Sequence, residues 1–212
     1  MSVKHGAAMW DERFSGEVYA YGTEPNVWVA EQVAALAPAE GARALVPADG
    51  EGRNAVWLAS QGWAAEVFDL SEQGRAKAMA LAERCGVSIQ YNVADLVEVA
   101  FEEGAYDLIA FSWFHVPSDL RAVHFPRMLH ALSPGGHFIC EGYHTSQMPM
   151  SSGGPKSLDL LWDLPTVLEE LTGAHAPPMR IVEAAVTSTV LEESWLHEGL
   201  ARVVRLHLVR ES

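Results

Sequence analysis

The stretch ALVPADGEGRNAVWLA, residues 44–59, runs from an apolar segment into two glycines and then into a helical pattern. This order of strand, glycine turn and helix is typical of the start of a nucleotide-binding crossover. Gly50 and Gly52 permit a ligand to approach the backbone closely, and a helix that begins near Asn54 directs free amide groups toward an anion. We therefore expect a ligand with an anionic end at this turn.

A carboxylate stands at the position where such a site needs one. The next strand-like run, AAEVFD, ends at Asp69, about twenty residues beyond the glycines, where a carboxylate can accept hydrogen bonds from both ribose hydroxyls. Loop and carboxylate together predict a cofactor that carries a ribose. Each has a plainer interpretation alone, because glycines after a strand are commonly turn residues and Asp69 could cap the following helix.

Strand-like and helical patterns alternate through the middle of the chain. The strand-like runs are ARALVP, AAEVFD, SIQYNV, YDLIAFSWF and HFICEGY, and helical patterns cover TEPNVWVAEQVAAL and residues 54–61, 71–84, 118–132 and 158–171. Two consecutive β-branched runs, MRIVEAAVTSTVLEE and LARVVRLHLVRE, follow at the end. The pattern predicts an α/β fold, doubly wound and Rossmann-like, whose mostly parallel seven-stranded sheet ends in a C-terminal antiparallel hairpin.

Length and composition restrict the class of protein. The 212 residues fit one domain, 1–212, and the Met, Ser, Gly and Pro content of residues 144–157 predicts a mobile loop. The net charge of -14 argues against a nucleic-acid partner, since phosphate neutralisation needs a basic face. The chain has no apolar run long enough to span a membrane, and its start lacks the features of a secretory signal. Both observations predict a cytoplasmic protein without a membrane partner. The sequence leaves monomer and homodimer open.

Metal and disulfide chemistry are not indicated. Cys85 and Cys140 lie far apart, one in a helical pattern and one in a strand pattern. They suggest neither a disulfide framework nor a thiolate metal site. We therefore expect no metal.

Two further motifs distinguish the candidate cofactors. VADL follows the third strand, and LSPGG precedes the fifth. With these, the chain resembles the class I S-adenosylmethionine-dependent methyltransferases, because ADGEGRNA, VFDLS, VADL, YDLIAFSWFH and LSPGGHFI stand in that family's order and spacing over nearly the whole chain. The chain departs from the family at Val46, where an acidic residue is usual, and at Ala48, which replaces the first glycine of the loop.

Two narrower resemblances concern the methyl acceptor. MWDERFSGEVYAYGTEPN together with GEGRNAVWLA is similar to the bacterial tellurite-resistance methyltransferases. LVP is similar to the thiopurine and thiol methyltransferases. Both resemblances imply a small, soft acceptor such as a thiol or a selenium or tellurium species, with S-adenosylmethionine as the cofactor.

The resemblance also implies the cofactor contacts. The methionine part would lie against Ala48, Gly50, Gly52, Arg53 and Asn54, the ribose at Asp69 beside Leu70, the adenine at Asp95 and Leu96, and the sulfonium above Ser112 and Phe114. Residues 1–22 would form an N-terminal lid, on which Trp10 covers the cofactor and Arg13 pairs with its carboxylate. Plainer interpretations remain open. Trp10 could anchor a core, Arg13 could pair with Asp11 or Glu12, and Leu70 and Leu96 could simply pack.

Catalysis needs little from the protein, because a methyl on a cationic sulfur is already activated and positioning can suffice. If a base is used, His115 and His197 are the candidates, since histidine titrates near neutrality, and Tyr21 could hydrogen-bond the acceptor from the lid. Any one histidine is more often structural than catalytic. A non-catalytic S-adenosylmethionine-binding protein and a nicotinamide-dependent oxidoreductase are the alternatives, although VADL, LSPGG and the hairpin are not features of the latter.

Overall fold

The computed structural model describes residues 3–212, with side chains from residue 6 onward, so the first two residues of the predicted lid segment lie outside it. The helices are α1 (Val3–Phe14), α2 (Val27–Ala34), α3 (Arg53–Ser60), α4 (Glu72–Cys85), α5 (Ser118–Leu129) and α6 (Leu164–Thr172). The strands are β1 (Arg43–Pro47), β2 (Ala64–Asp69), β3 (Gln90–Val93), β4 (Tyr106–Ser112), β5 (Leu132–Tyr143), β6 (Met179–Ser194) and β7 (His197–Arg210). Within the described range, none of the helices combines the length and the apolar character that a membrane span requires.

The strands form one seven-stranded sheet in the order β3-β2-β1-β4-β5-β7-β6. Strands β1 to β5 are parallel, and β7 pairs antiparallel with both β5 and β6. This arrangement confirms the predicted fold class. The carboxyl ends of β1, β2 and β4 therefore meet at one edge of the sheet, which is where ligands bind in such folds.

A hydrophobic core covers each face of the sheet. One core packs α2, α3 and α4 on the sheet through residues such as Trp28 and Leu58. The other packs α5 and α6 through residues such as Phe111, Phe125 and Trp162. Strand β4 is buried on both faces, which explains why its sequence is a continuous apolar run rather than an alternating one.

Several elements differ from the sequence-based expectation. Strand β5 begins at Leu132, so the LSPGG motif lies inside the strand rather than before it, and α5 ends at Leu129. Helix α1 lies in the predicted lid segment, for which no helical pattern was identified. Helix α6 begins at Leu164 rather than at residue 158, because Asp163 caps it by accepting the N–H of Thr166 and Pro165 fits its first turn. The hairpin turn shrinks to Trp195 and Leu196, since both of its strands extend farther than their β-branched runs.

Close packing fixes the turn that joins β1 to α3. Gly52 has a φ of 88°, and a Cβ placed on it would lie 2.5 Å from the Cβ of Ala78 on α4. Helix α4 therefore packs directly against the backbone of this turn. A side chain at Gly52 would be strained by both its backbone conformation and its neighbour.

We expect Gly52→Ala to lower the free energy of unfolding by about 2–4 kcal/mol, because it combines left-handed strain with a steric overlap. Gly41→Ala is the matched control, since Gly41 has a φ of 79° but no atom within 4 Å of its added Cβ. That control should cost only about 1 kcal/mol. Urea unfolding of both variants checks the difference, and equal losses would show that the contact with Ala78 contributes nothing.

Candidate active site

The glycine loop is covered by the N-terminal helix. Ala48 and Gly50 have φ values of 52° and 54°, so the chain turns through left-handed conformations directly after β1. A Cβ on Gly50 would lie 2.8 Å from Cζ of Phe14, whose side chain is buried at the end of α1. The open backbone that the sequence predicts for ligand contact therefore also accommodates an aromatic ring of the protein itself.

The N-terminus of α3 carries its own anion. The carboxylate of Asp49 accepts the N–H of Ala55 at 2.8 Å, the N–H of Asn54 at 3.3 Å and the side-chain amide of Asn54 at 2.7 Å. Burial disfavours the ionised form and raises the pKa of Asp49 to about 6, although these hydrogen bonds oppose the shift. The N–H groups of Asn54 and Ala55 are thus already used, which corrects the expectation that they are free for an anionic ligand.

This arrangement also distinguishes between cofactors. A dinucleotide places its pyrophosphate at the N-terminus of the first crossover helix. Asp49 fills that position here, and Glu51, which is paired with Lys77, lies in the same turn. Such a turn repels a pyrophosphate and suits a cofactor that carries ammonium and sulfonium charges. The carboxylates of this turn therefore fit S-adenosylmethionine better than a nicotinamide dinucleotide.

Asp69 stands at the end of β2, as predicted. One carboxylate oxygen accepts the N–H of Gly50 and the other accepts the N–H of Ser71, both at 3.0 Å. The side chain is buried, and burial raises its pKa. A carboxylate has about four acceptor positions, so it retains capacity for the ribose hydroxyls. The hydroxyl of Tyr91 donates to the carbonyl of Gly50 at 2.7 Å and secures the loop from below.

Helix α1 lies against the start of α4. The carboxylate of Asp11 accepts the hydroxyl of Ser71 at 2.6 Å and the N–H of Gln73 at 3.1 Å, which lowers the pKa of Asp11. Trp10 stacks on Phe14 with a ring separation of 5.5 Å. Arg13 donates to the hydroxyl of Tyr21 at 2.9 Å rather than to Asp11 or Glu12. The cofactor contacts of Trp10 and Arg13 stay predictions.

The segment between α1 and α2 is clamped onto the glycine loop. The carboxylate of Glu51 accepts the N–H of Ala20 at 2.7 Å and forms a salt bridge with Lys77. Lys77 also donates to the carbonyls of Gly16 and Val18, both at 2.8 Å. Residues 15–22 are therefore attached directly to the turn that is expected to hold the cofactor.

The end of β4 meets the start of α3. The hydroxyl of Ser112 accepts from the guanidinium of Arg53 and from the side-chain amide of Asn54, each at 3.4 Å. Trp113 follows with a φ of 62°, an unusual conformation for a residue with a side chain. Its indole N–H donates to Glu193 at 2.9 Å. Three of the predicted cofactor residues, Arg53, Asn54 and Ser112, thus lie together.

His197 lies in the same place, enclosed by aromatic rings. Its ring centroid is 4.8 Å from Tyr21, 5.1 Å from Trp113 and 5.7 Å from Tyr143. Nδ1 lies 3.1 Å from the carboxylate of Glu193. Burial lowers the pKa of His197 although Glu193 opposes the shift, so the imidazole is neutral near pH 7. The tautomer that donates from Nδ1 leaves a lone pair on Nε2.

His115 is arranged differently. Nδ1 lies 2.7 Å from the carbonyl of Leu160, and Nε2 accepts the N–H of Tyr143 at 3.1 Å. Burial lowers its pKa to about 4. Because both ring nitrogens are used, His115 joins β5 to the segment before α6 and has no free nitrogen for proton transfer. The geometry therefore disfavours His115 as the base.

The remaining predicted residues lie at the adenine end or in the core. Phe114 packs in the core against Phe68, Phe111 and Phe125. Leu96 is buried in that same core, and Leu70 is partly buried beside Gly6 of α1. The carboxylate of Asp95 accepts the N–H of Val97 at 3.0 Å. Cofactor contacts of these residues stay predictions.

The predicted mobile loop contains a short 3-10 helix, Thr145–Gln147, and is attached to β7. The side-chain carbonyl of Gln147 accepts the N–H of Arg202 at 2.8 Å, and the hydroxyl of Ser152 donates to the carbonyl of Leu200 at 2.6 Å. A Cβ on Gly153 would lie 2.9 Å from the ring of His197. The loop thus lies against His197, while its mobility stays a prediction.

Sequence reasoning missed several residues that assemble the site. They are Asn26, Asp49, Glu51 and Glu193. Asp49 and Glu51 lie inside the glycine motif at positions without a role in the pattern. Glu193 ends a β-branched run, where an acidic residue usually indicates a solvated strand end. Its importance arises from contacts with residues far away in the sequence.

Comparisons with known proteins agree with this geometry. Residues 45–136 match a family model described as a methyltransferase domain, whereas no curated protein matches the chain significantly. A solved structure associated with the conversion of a disulfide bond into a thioacetal group during echinomycin biosynthesis is 17% identical, with a TM-score of 0.73 over 100% of this chain and 92% of that one.

Two further solved structures share the fold. TehB from Haemophilus influenzae is 13% identical, with a TM-score of 0.69 over 98% of this chain and 67% of that one. Magnesium protoporphyrin IX methyltransferase from Synechocystis PCC 6803, solved with SAH bound, is 15% identical, with a TM-score of 0.64 over 100% of this chain and 88% of that one. At these identities the likeness establishes the fold, and the family model gives the class of enzyme.

Residues 45–136 therefore form a methyltransferase domain, and the enzyme class that the motifs predicted, an S-adenosylmethionine-dependent methyltransferase, is confirmed. Its cofactor is S-adenosylmethionine.

We expect Asp69→Ala to weaken S-adenosylmethionine binding by about 2–4 kcal/mol, because the variant loses charge-assisted hydrogen bonds to the ribose. Calorimetric titration measures the dissociation constant. Asp107→Ala is the control, since Asp107 is an exposed carboxylate near the opposite edge of the sheet. Equal affinity in the two variants would contradict the ribose assignment.

Proposed function

We propose that this methyltransferase acts on a small molecule with a soft nucleophilic atom, namely a thiol or a selenium or tellurium species. The observation that carries the proposal is the environment of His197. A neutral imidazole, anchored through Nδ1, lies among the rings of Tyr21, Trp113 and Tyr143, beside the end of β4. Aromatic surface favours a polarisable atom, and the free lone pair on Nε2 suits a thiol proton.

When bound, S-adenosylmethionine supplies a methyl group on a cationic sulfur. Nε2 of His197 takes the proton of the thiol and so frees the sulfur electron pair that would form the new bond to the methyl carbon. The bound cofactor would leave as the neutral thioether, which would keep the electron pair of the broken bond. The surrounding rings exclude water, and Tyr21 contributes a hydroxyl that is already hydrogen-bonded to Arg13. A thiol with an ordinary pKa near 8.5 needs only a weak base.

Two structural neighbours support a chalcogen acceptor. One is TehB, the type of protein that the N-terminal and glycine-loop motifs resemble. The other is associated with chemistry on a disulfide bond. An oxidoreductase is disfavoured because Asp49 occupies the position of a pyrophosphate. The remaining proposals follow from composition: the partner is a small molecule and not nucleic acid or a membrane, and the chain acts in the cytoplasm as a monomer or homodimer.

The acceptor class is checked by a product-detected screen of thiols, selenite, tellurite, phenols and amines. With the best acceptor, His197→Gln should lower kcat about 100-fold, because it removes the base. His207→Gln is the matched control, since His207 lies on the same strand, is equally buried and contacts Gln32 and His137 instead. Turnover of phenols or amines alone would refute the acceptor class, and full activity of His197→Gln would remove the base.

We also propose that residues 1–22 act as a lid, because residues 15–22 are attached to the glycine loop through Glu51 and Lys77. Amide exchange in residues 15–22 should slow when S-adenosylmethionine is added. Lys77→Met removes the ammonium and should speed that exchange in the free protein, whereas Lys156→Met, on the 144–157 loop side of the molecule, should not. Identical protection with and without cofactor would show that the segment is static.

A further inference from the structure

Glu193 lies where four parts of the chain converge. Its carboxylate accepts from Asn26 at the start of α2, Arg53 at the start of α3, Trp113 after β4 and His197 at the start of β7. We propose that Glu193 is the positioning residue of the methyl transfer, which fixes the tautomer and orientation of His197 and ties them to the cofactor loop through Arg53. This inference rests on the proposed role of His197 as the base.

One oxygen of Glu193 lies within hydrogen-bond distance of three nitrogen atoms. Oε2 of Glu193 accepts from Arg53 at 2.9 Å, from the indole N–H of Trp113 at 2.9 Å and lies 3.1 Å from Nδ1 of His197. An ionised carboxylate oxygen can only accept hydrogen bonds, so the imidazole nitrogen beside it must be the donor. Nδ1 therefore holds the proton, and Nε2 presents its lone pair. A carboxylate behind an imidazole is a common means of fixing a catalytic tautomer.

An irregularity in the β6–β7 pairing directs the side chain of Glu193 toward the site. The register between β6 and β7 shifts between Glu192 and Ser194, so Glu193 falls at an irregularity of the ladder. Such irregularities change the direction of a side chain. Glu193 contacts the site while its neighbour Glu192 is exposed on the same strand. The two adjacent glutamates therefore form a natural pair for comparison.

The charges around His197 define the expected pH dependence. The groups that face it are Arg13 of α1, Tyr21, Arg53 of α3, Tyr143 of β5 and Glu193 of β6. The two arginines lower the pKa of His197, and Glu193 raises it. Burial disfavours the ionised form of Glu193, but the hydrogen bond from His197 and the charge of Arg53 hold its pKa at about 2. Glu193 is thus ionised throughout the pH range in which a histidine titrates.

The test compares Glu193→Gln with Glu192→Gln. Loss of the carboxylate leaves Arg53 uncompensated, lowers the pKa of His197 and weakens it as a base. We expect kcat to fall about 10- to 100-fold, with the KM for the acceptor within about threefold of the wild type. The acidic limb of the kcat profile, which rises as His197 loses its proton, should move to lower pH. Glu192→Gln should retain the wild-type rate and profile.

Other outcomes are decisive. Wild-type kcat and an unmoved acidic limb in Glu193→Gln would overturn the proposal, and so would a loss of S-adenosylmethionine binding that accounts for the whole decrease. If His197→Gln keeps full activity, His197 is not the base. That result would refute the proposed function of His197 and is distinguishable from a failure of the role proposed for Glu193. Where Glu193→Gln does not fold, Glu193→Asp decides, because its shorter carboxylate cannot serve Arg53 and Nδ1 together. Imidazole nitrogen shifts should then show a mixture of tautomers, and a single wild-type tautomer would overturn the proposal.

Discussion

The buried ion pair between Arg53 and Glu193 connects helix α3, which follows the glycine loop, to the C-terminal hairpin. Arg53 opens the helix that follows the glycine loop, and Glu193 belongs to the hairpin that closes the sheet. Their side chains are 6% and 8% exposed and approach to 2.9 Å. Burying two charges is costly, and their attraction offsets that cost only when other hydrogen bonds satisfy them. Here Tyr21, Trp113 and His197 provide those bonds, so the pair specifies an arrangement rather than merely adding stability.

The polar network continues from this pair into the sheet. The side-chain amide of Asn26 donates to Glu193 at 2.9 Å and to Glu141 at 2.8 Å, while its oxygen caps α2 through the N–H of Val29. Glu141 forms a salt bridge with Arg205 at 2.7 Å. Burial raises the pKa of Glu141, whereas the pKa of Glu193 is held low by stronger partners. A single asparagine thus places α2 against both carboxylates.

The sequence predicted those features that depend on local pattern. The bounds of β2 and the position of Asp69 were predicted correctly because a buried parallel strand is a short apolar run with a clear end. Helix α1 was not predicted, since contacts such as that of Phe14 with Gly50 stabilise it rather than a periodic apolar face. The lack of a free nitrogen on His115 could not be predicted either. Its partners, Leu160 and Tyr143, come close only in the folded chain.

The steric overlap with Ala78 forbids a side chain at Gly52. The glycine motif therefore does not by itself indicate cofactor binding. Ala78, which lies in another helix, requires that glycine whether or not a cofactor is present. Phe14 makes the same demand on Gly50. A descendant that had lost its catalytic residues would therefore still be under selection to retain these glycines, simply to fold. The motif is in that sense a signature of architecture, and evidence of activity must come from other residues, such as His197, whose Nδ1 is held by Glu193.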